Sequence, residues 1–76
     1  MFASREAEGV VTIVQESRFQ LIDTNGVGHL FLLGHKAGAE PEQLAPLQHR
    51  QARVRIRYRP ARNLIGNIAS SIEIIG

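Results

Sequence analysis

Four arginines stand at every second position between residues 53 and 59, and they are the side chains in this sequence best suited to bind an anion. The segment reads Arg-Val-Arg-Ile-Arg-Tyr-Arg. Because successive side chains of a β-strand point to opposite faces, a strand here places Val54, Ile56 and Tyr58 on a core and the arginines on the other surface. A helix would spread both sets around its circumference, so the alternation predicts a strand.

The basic side chains are concentrated in the second half of the chain. Residues 1–45 carry three basic and six acidic side chains, whereas residues 46–76 carry six basic and one acidic. Eight of the nine cations are arginine, whose planar guanidinium forms paired hydrogen bonds with phosphate or carboxylate. The asymmetry indicates an anionic partner. The alternative is that the basic half pairs with the acidic half within one fold.

Length and composition predict one small domain, residues 1–76, whose stability rests on its apolar strands. The absence of cysteine excludes disulfides, thiolate catalysis and cysteine-based zinc sites. Residues 1–8 are charged and poor in apolar side chains, which predicts a flexible N-terminal segment. No apolar run is long enough to span a membrane, so we expect a soluble cytoplasmic protein without membrane contact.

Four further strands are predicted, three before the arginine segment and one after it. Gly9 opens a β-branched run over 10–14, and a second strand over 19–23 turns Phe19 and Leu21 inward. Residues 29–33 form a strand that is apolar on both faces, after a tight Asn25-Gly26 hairpin. The last strand runs over 68–75, and its alternation places on one face Ile68, Ser70, Ile72 and Ile74.

A short helix is predicted between the third strand and the arginine strand. Pro41 stands at a favourable first-turn position, and Leu44 and Leu47 are spaced to dock the helix on a core. Pro46 interrupts the helical pattern, which limits the helix to one or two turns.

This order of elements resembles the OB-fold, a five-stranded Greek-key barrel with a helix between its third and fourth strands. The resemblance covers residues 9–75 and rests on the glycine-led first strand, the Asn25-Gly26 hairpin, the helix and the final hairpin over 53–75. We therefore predict an all-β, OB-like barrel in the order strand, strand, strand, helix, strand, strand. An SH3-like or other small β-barrel is the structural alternative.

The OB resemblance implies a ligand face on the outer surface of the second and third strands. On this chain that face would include Arg18, Gln20 and Ile22 with one parity of 29–33. Its rim would be formed by Arg59, Arg62 and Asn63. Single-stranded nucleic acid binders add aromatic platforms to a cationic groove. Phe31 serves as a platform only if Leu30 and Leu32 face the core; the opposite orientation buries it. The candidate nucleic-acid-binding residues are Arg18, His29, Phe31, Arg55, Arg57, Arg59, Arg62 and Asn63.

Other chemistry is sparse in this sequence. The three histidines, at 29, 35 and 49, share no helical spacing and no clustered carboxylates, so we expect no metal site. No nucleophile, catalytic base or phosphate-binding loop stands in a recognisable context, and we expect neither an enzyme nor a cofactor.

Two functions therefore remain as hypotheses. The first is a non-catalytic module that binds single-stranded DNA or RNA, with arginines 55, 57, 59 and 62 neutralising phosphates and Phe31 stacking on a base. The alternative is a protein partner or a homo-oligomer, bound through the apolar strand 29–33 with Ile22 or through the edge of the terminal strand.

Overall fold

Five strands and one short helix account for most of the chain in the computed structural model, which describes residues 5–34, 37, 39–60 and 66–76. The strands are β1 (Arg5–Gln15), β2 (Arg18–Asp23), β3 (Gly28–Leu33), β4 (Arg53–Pro60) and β5 (Asn67–Ile74). A 3-10 turn over Pro41–Gln43 leads into helix α1 (Leu44–His49), between β3 and β4. Within the described ranges, no helix has the length and apolar character needed to cross a bilayer.

The strands close into a barrel in the order β1-β2-β3-β5-β4. Neighbouring strands are antiparallel except β3 and β5, which run parallel and join through three residue pairs, Phe31 with Asn67, Leu32 with Ile68 and Leu33 with Ala69. The long strand β1 pairs with β4 along its first half and with β2 along its second. The predicted all-β architecture with one helix between the third and fourth strands is confirmed, and the barrel is consistent with an OB-like fold.

Strand β1 begins at Arg5, so the flexible segment predicted over residues 1–8 is wrong for residues 5–8. Glu6 and Glu8 lie in register opposite Arg57 and Arg55 of β4. Directly opposed charges of opposite sign stabilise an antiparallel strand pair by about 0.2–1 kcal/mol. Residues 5–8 have few apolar side chains, so their own sequence does not identify them as a strand. Their partners are charged side chains of β4, which lie far along the sequence.

The core contains the inward-facing residues that the alternation predicted on β2 and β4. Phe19 and Leu21 are buried, as are Val54 and Ile56. The ring of Phe31 lies between two other aromatic rings, with centroid distances of 5.4 Å to Phe19 and 5.1 Å to Tyr58. The helix adds two buried leucines, and the core cluster is completed by Val11, Leu44, Leu47, Ala52 and Ala69.

Bulges in β1 and β5 change which parity faces the core. In β1 the register against β2 shifts between Val11 and Ile13, so Thr12 is the extra residue. In β5, Arg57 pairs with Ser71 and Tyr58 with Ala69, so Ser70 is the extra residue. The prediction that Ile68 and Ser70 share the face of Ile72 and Ile74 is therefore wrong, because the bulge turns Ala69 into the core instead.

Helix α1 is fixed against the bulge of β1. The Gln48 side-chain amide donates a hydrogen bond of 2.6 Å to the backbone carbonyl of Thr12. Pro46 lies in the first turn of α1, where its missing N–H removes no intrahelical hydrogen bond of that helix. The helix can therefore contain a proline and still bury Leu44 and Leu47.

Candidate ligand-binding face

The outer surface of β2 and β3 is formed by the side chains whose parity opposes the core. The registers place Arg18 beside Leu32 and Gln20 beside Leu30. The surface extends onto β1 through Ile13, which lies beside Gln20, and onto β5 through Ile68, which lies beside Leu32. We call this surface the β2–β3 face, and its members are Ile13, Arg18, Gln20, Ile22, Leu30, Leu32, Arg59 and Ile68.

The centre of the β2–β3 face is aliphatic and open to solvent. Ile13 and Leu30 are 53% and 54% exposed and lie on either side of Gln20. Ile22, Leu32 and Ile68 are partly exposed next to them. Exposed apolar side chains grouped on one face of a small domain make that face a candidate contact surface.

Two arginines flank this apolar centre. Strand pairing aligns Arg18 with Leu32, Leu32 with Ile68 and Ile68 with Arg59, which places the two arginines at opposite ends of one row around the barrel. Both arginine residues are exposed. Among the described residues, neither guanidinium forms an ion pair with a carboxylate. Both are therefore available to an anionic group of a ligand.

Gln20 is the polar group at the centre of the β2–β3 face. Its side-chain carbonyl accepts a hydrogen bond of 3.3 Å from the hydroxyl of Thr12, the bulge residue of β1. Its amide nitrogen extends over Gly28, where a Cβ atom would lie only 2.6 Å away. The glycine therefore leaves room for the amide N–H groups, which are suited to donate to an acceptor on a ligand.

The arginines in the middle of β4 are engaged in ion pairs within the barrel. Arg55 donates to one Glu8 oxygen through Nε and Nη2, at 3.1 and 2.9 Å, and to Glu73 through Nη1 at 2.8 Å. The hydrogen bonds and charge of Glu8 raise the pKa of Arg55. Arg57 donates through Nε to Glu6 at 3.1 Å. A phosphate would have to compete with these carboxylates. The ion pairs with Glu6 and Glu8 join the basic half of the chain to its acidic half.

Phe31 is 2% exposed, so the base-stacking role predicted for it is wrong. Leu30 and Leu32 occupy the outward positions of β3, which turns His29 and Phe31 toward the barrel interior. His29 is only partly exposed, and its Nε2 lies 2.8 Å from a carboxylate oxygen of Asp23. His29 therefore lies at the β2–β3 hairpin, away from the β2–β3 face.

Asp23 organises the hairpin that joins β2 to β3. One carboxylate oxygen accepts backbone hydrogen bonds of 2.9 Å from both Asn25 and Val27. The hydrogen bond with His29 and these backbone N–H groups lower the pKa of Asp23 below its ordinary value of 3.8. Because the folded state favours the ionised carboxylate, this contribution to stability is present above about pH 4 and is lost as the pH falls through the lowered pKa.

The structure brings together only part of the predicted site. Arg18 and Arg59 lie on one face, whereas Arg55 and Arg57 lie on the adjacent β4 surface. Arg62 and Asn63 lie outside the described residues. Four aliphatic residues of this face were not predicted to share one surface: Ile13, Leu30, Leu32 and Ile68. One feature of the sequence pointed to this surface. The strand 29–33 is apolar on both faces, so one of its two faces needed another molecule or element to cover it.

Comparisons of this chain with protein-family models, with curated proteins and with solved structures found no significant match.

Proposed function

We propose that this chain is a non-catalytic, OB-type binding module that recognises a partner protein through the β2–β3 face. The observation that carries the proposal is the exposure of two large aliphatic side chains, Ile13 and Leu30, on either side of Gln20. No aromatic side chain of the described residues lies on this face, since Phe19, Phe31 and Tyr58 all point inward. Aliphatic side chains suit the apolar centre of a protein interface better than the stacking of bases.

The charges around the face define the chemistry of the partner segment. The two flanking charged groups, Arg18 and Arg59, are both positive, and the face as defined contains no carboxylate. A complementary segment therefore carries aliphatic side chains with Asp or Glu on both sides. Gln20 adds a hydrogen-bond donor near the centre, which a backbone carbonyl of the partner would accept.

Replacing Leu30 with glutamate is expected to weaken such binding at least tenfold, because it places a charge in the apolar centre. The experiment selects binders from a displayed random-peptide library on the unmodified protein. The selected peptides are then synthesised, and their affinity is measured by fluorescence anisotropy. Ile74→Glu is the matched control, because Ile74 has the same 54% exposure and lies beside α1, outside the β2–β3 face.

The expected result is enrichment of acidic-aliphatic peptides that bind the Ile74→Glu variant normally and the Leu30→Glu variant weakly. Peptides that bind both variants equally, or a selection that yields no binder, would overturn the proposal. Circular dichroism of both variants confirms that the barrel is folded.

A second candidate function is binding of single-stranded DNA or RNA, favoured by one observation. Arg18 and Arg59 are exposed and not ion-paired within the described residues, at the side of the barrel where the β1–β2 turn lies and β4 ends. Two guanidiniums in one row with the apolar strip between them could hold two phosphates of one strand. Such binding would show weak sequence preference and strong salt dependence, because counterion release dominates it.

Charge reversal of both arginines is expected to abolish oligonucleotide binding if this second function holds. A labelled single-stranded oligothymidylate is titrated at low and moderate salt against the Arg18→Glu/Arg59→Glu variant. Each lost phosphate contact reduces the salt slope by about 0.7. Arg53→Glu is the control, since Arg53 is also exposed but lies at the other end of β4. Absence of binding by the unmodified protein at low salt would exclude this function.

A further inference from the structure

A second exposed apolar surface lies between α1 and the end of β5. An open groove of about 320 Å³ is bounded there by Pro46 and Leu47 of the helix and by Ile72 and Ile74 of the strand. Leu47 is buried at its base, whereas Ile74 is 54% exposed. The groove lies outside the β2–β3 face, and no ion pair described above involves its residues.

Three exposed residues of the helical segment align beside this groove. Glu42, Pro46 and Arg50 are spaced four residues apart, which places them on one side of the helical segment. Glu42 belongs to the 3-10 turn, and Arg50 follows the last residue of α1. The stripe is therefore acidic at one end and basic at the other, with Pro46 midway between the two charges.

We propose that a second copy of this chain docks on this groove, with the two α1 helices antiparallel around a two-fold axis near Pro46. In such an interface each contact occurs twice: residue i of the first copy contacts residue j of the second, and residue j of the first contacts residue i of the second. A two-fold axis at the midpoint places Glu42 of each copy against Arg50 of the other, which forms two ion pairs. Ile74 and Pro46 of the two copies then cover the apolar groove between these pairs.

The charge pattern distinguishes this surface from the β2–β3 face. A self-associating surface must be complementary to its own rotated copy, and a stripe with one charge of each sign satisfies this condition. The β2–β3 face has arginine at both ends of its row, so the same operation would bring like charges together. The groove therefore takes a second copy, whereas the β2–β3 face takes a different molecule.

The test measures the mass of the full chain by sedimentation equilibrium over a wide concentration range. The expected result is a weight-average mass that rises from 8.4 kDa toward twice that value. Ile74→Glu is expected to raise the dissociation constant at least tenfold. Val27→Glu, at a hairpin residue of similar exposure, 52%, is expected to leave it unchanged. A mass that stays at the monomer value up to the highest concentration would overturn the proposal.

Reversing the charges of Glu42 and Arg50 gives a second test. Both residues are exposed, so their replacement is expected to leave the barrel folded. Glu42→Arg alone and Arg50→Glu alone are each expected to weaken dimerisation, because each creates two like-charge contacts. The double variant Glu42→Arg/Arg50→Glu is expected to restore it, because both ion pairs form again with exchanged signs. A double variant no tighter than either single variant would contradict the two-fold arrangement, even if Ile74→Glu had failed to fold.

Discussion

Replacing Gly9 with alanine is expected to destabilise the barrel strongly. Gly9 lies where β1 pairs with both neighbours at once, opposite Asp23 of β2 and Val54 of β4. A Cβ atom there would lie 2.0 Å from the backbone carbonyl oxygen of Ile22 and 2.8 Å from the Cα atom of Asp23. Backbone atoms of a paired strand cannot move aside in the way that a flexible side chain can, so β1 and β2 must separate.

The magnitude expected for Gly9→Ala is at least about 3 kcal/mol, at the upper end of the range for overpacked substitutions. That is a large share of the roughly 5 kcal/mol expected for the least stable small domains. Urea unfolding followed by far-ultraviolet circular dichroism measures the loss. The matched control is Gly26→Ala, where φ is +83° and no atom lies within 4 Å of the added Cβ. The control is expected to lower the free energy of unfolding by only about 1–2 kcal/mol, because alanine is strained in the left-handed backbone conformation. Equal losses for the two variants would contradict the clash at Gly9.

Replacing Phe31 with alanine is expected to destabilise the barrel by about 3–5 kcal/mol, the usual cost of removing a buried phenyl ring. Phe31 contacts Phe19 and Tyr58 and lies opposite Asn67, at the pairing that closes the barrel. The alanine leaves a cavity bordered by two aromatic rings that β-sheet backbone holds in place. The urea midpoint of the variant measures the loss.

The control for Phe31→Ala is Leu30→Ala, at the neighbouring residue with the opposite orientation. Leu30 is 54% exposed, so its replacement is expected to change the free energy of unfolding by no more than about 0.5 kcal/mol. Comparing Phe31→Ala with Leu30→Ala distinguishes a structural role in the core from a role in ligand binding. A Phe31→Ala protein that keeps its stability and loses ligand binding would be the signature of a stacking platform and would contradict the buried position.

The predictability of this fold from sequence differs sharply between β4 and β3. Val54 and Ile56 alternate with arginines, so the period of two identifies both the strand and its inward face. Strand β3 is apolar at every position from Leu30 to Leu33, and its own residues therefore contain no information about orientation. The choice that buries Phe31 follows from pairing with β2 and with a β5 segment thirty-six residues away.

The bulges at Thr12 and Ser70 explain why the outer surface was less predictable than the core. Each inserts one residue into a strand without a glycine or proline at that position to mark it. Parity inferred from alternation is then correct on one side of the bulge and reversed on the other. For the candidate site, Arg18 was predicted on the ligand face and Arg59 at its rim. Their shared row with Ile68 depends on the reversal at Ser70.

The short parallel pairing of β3 with β5 also determines the order in which the barrel can assemble. The hairpins β1–β2, β2–β3 and β4–β5 join segments that are close along the chain, and each can form from local contacts. Joining Phe31 to Asn67 requires a loop of thirty-six residues to close for only three residue pairs. Loop-closure entropy opposes that step until the other strands are in place. Pairing of β3 with β5 is therefore expected to be the last event of folding, and this pairing completes the row that connects Arg18 with Arg59.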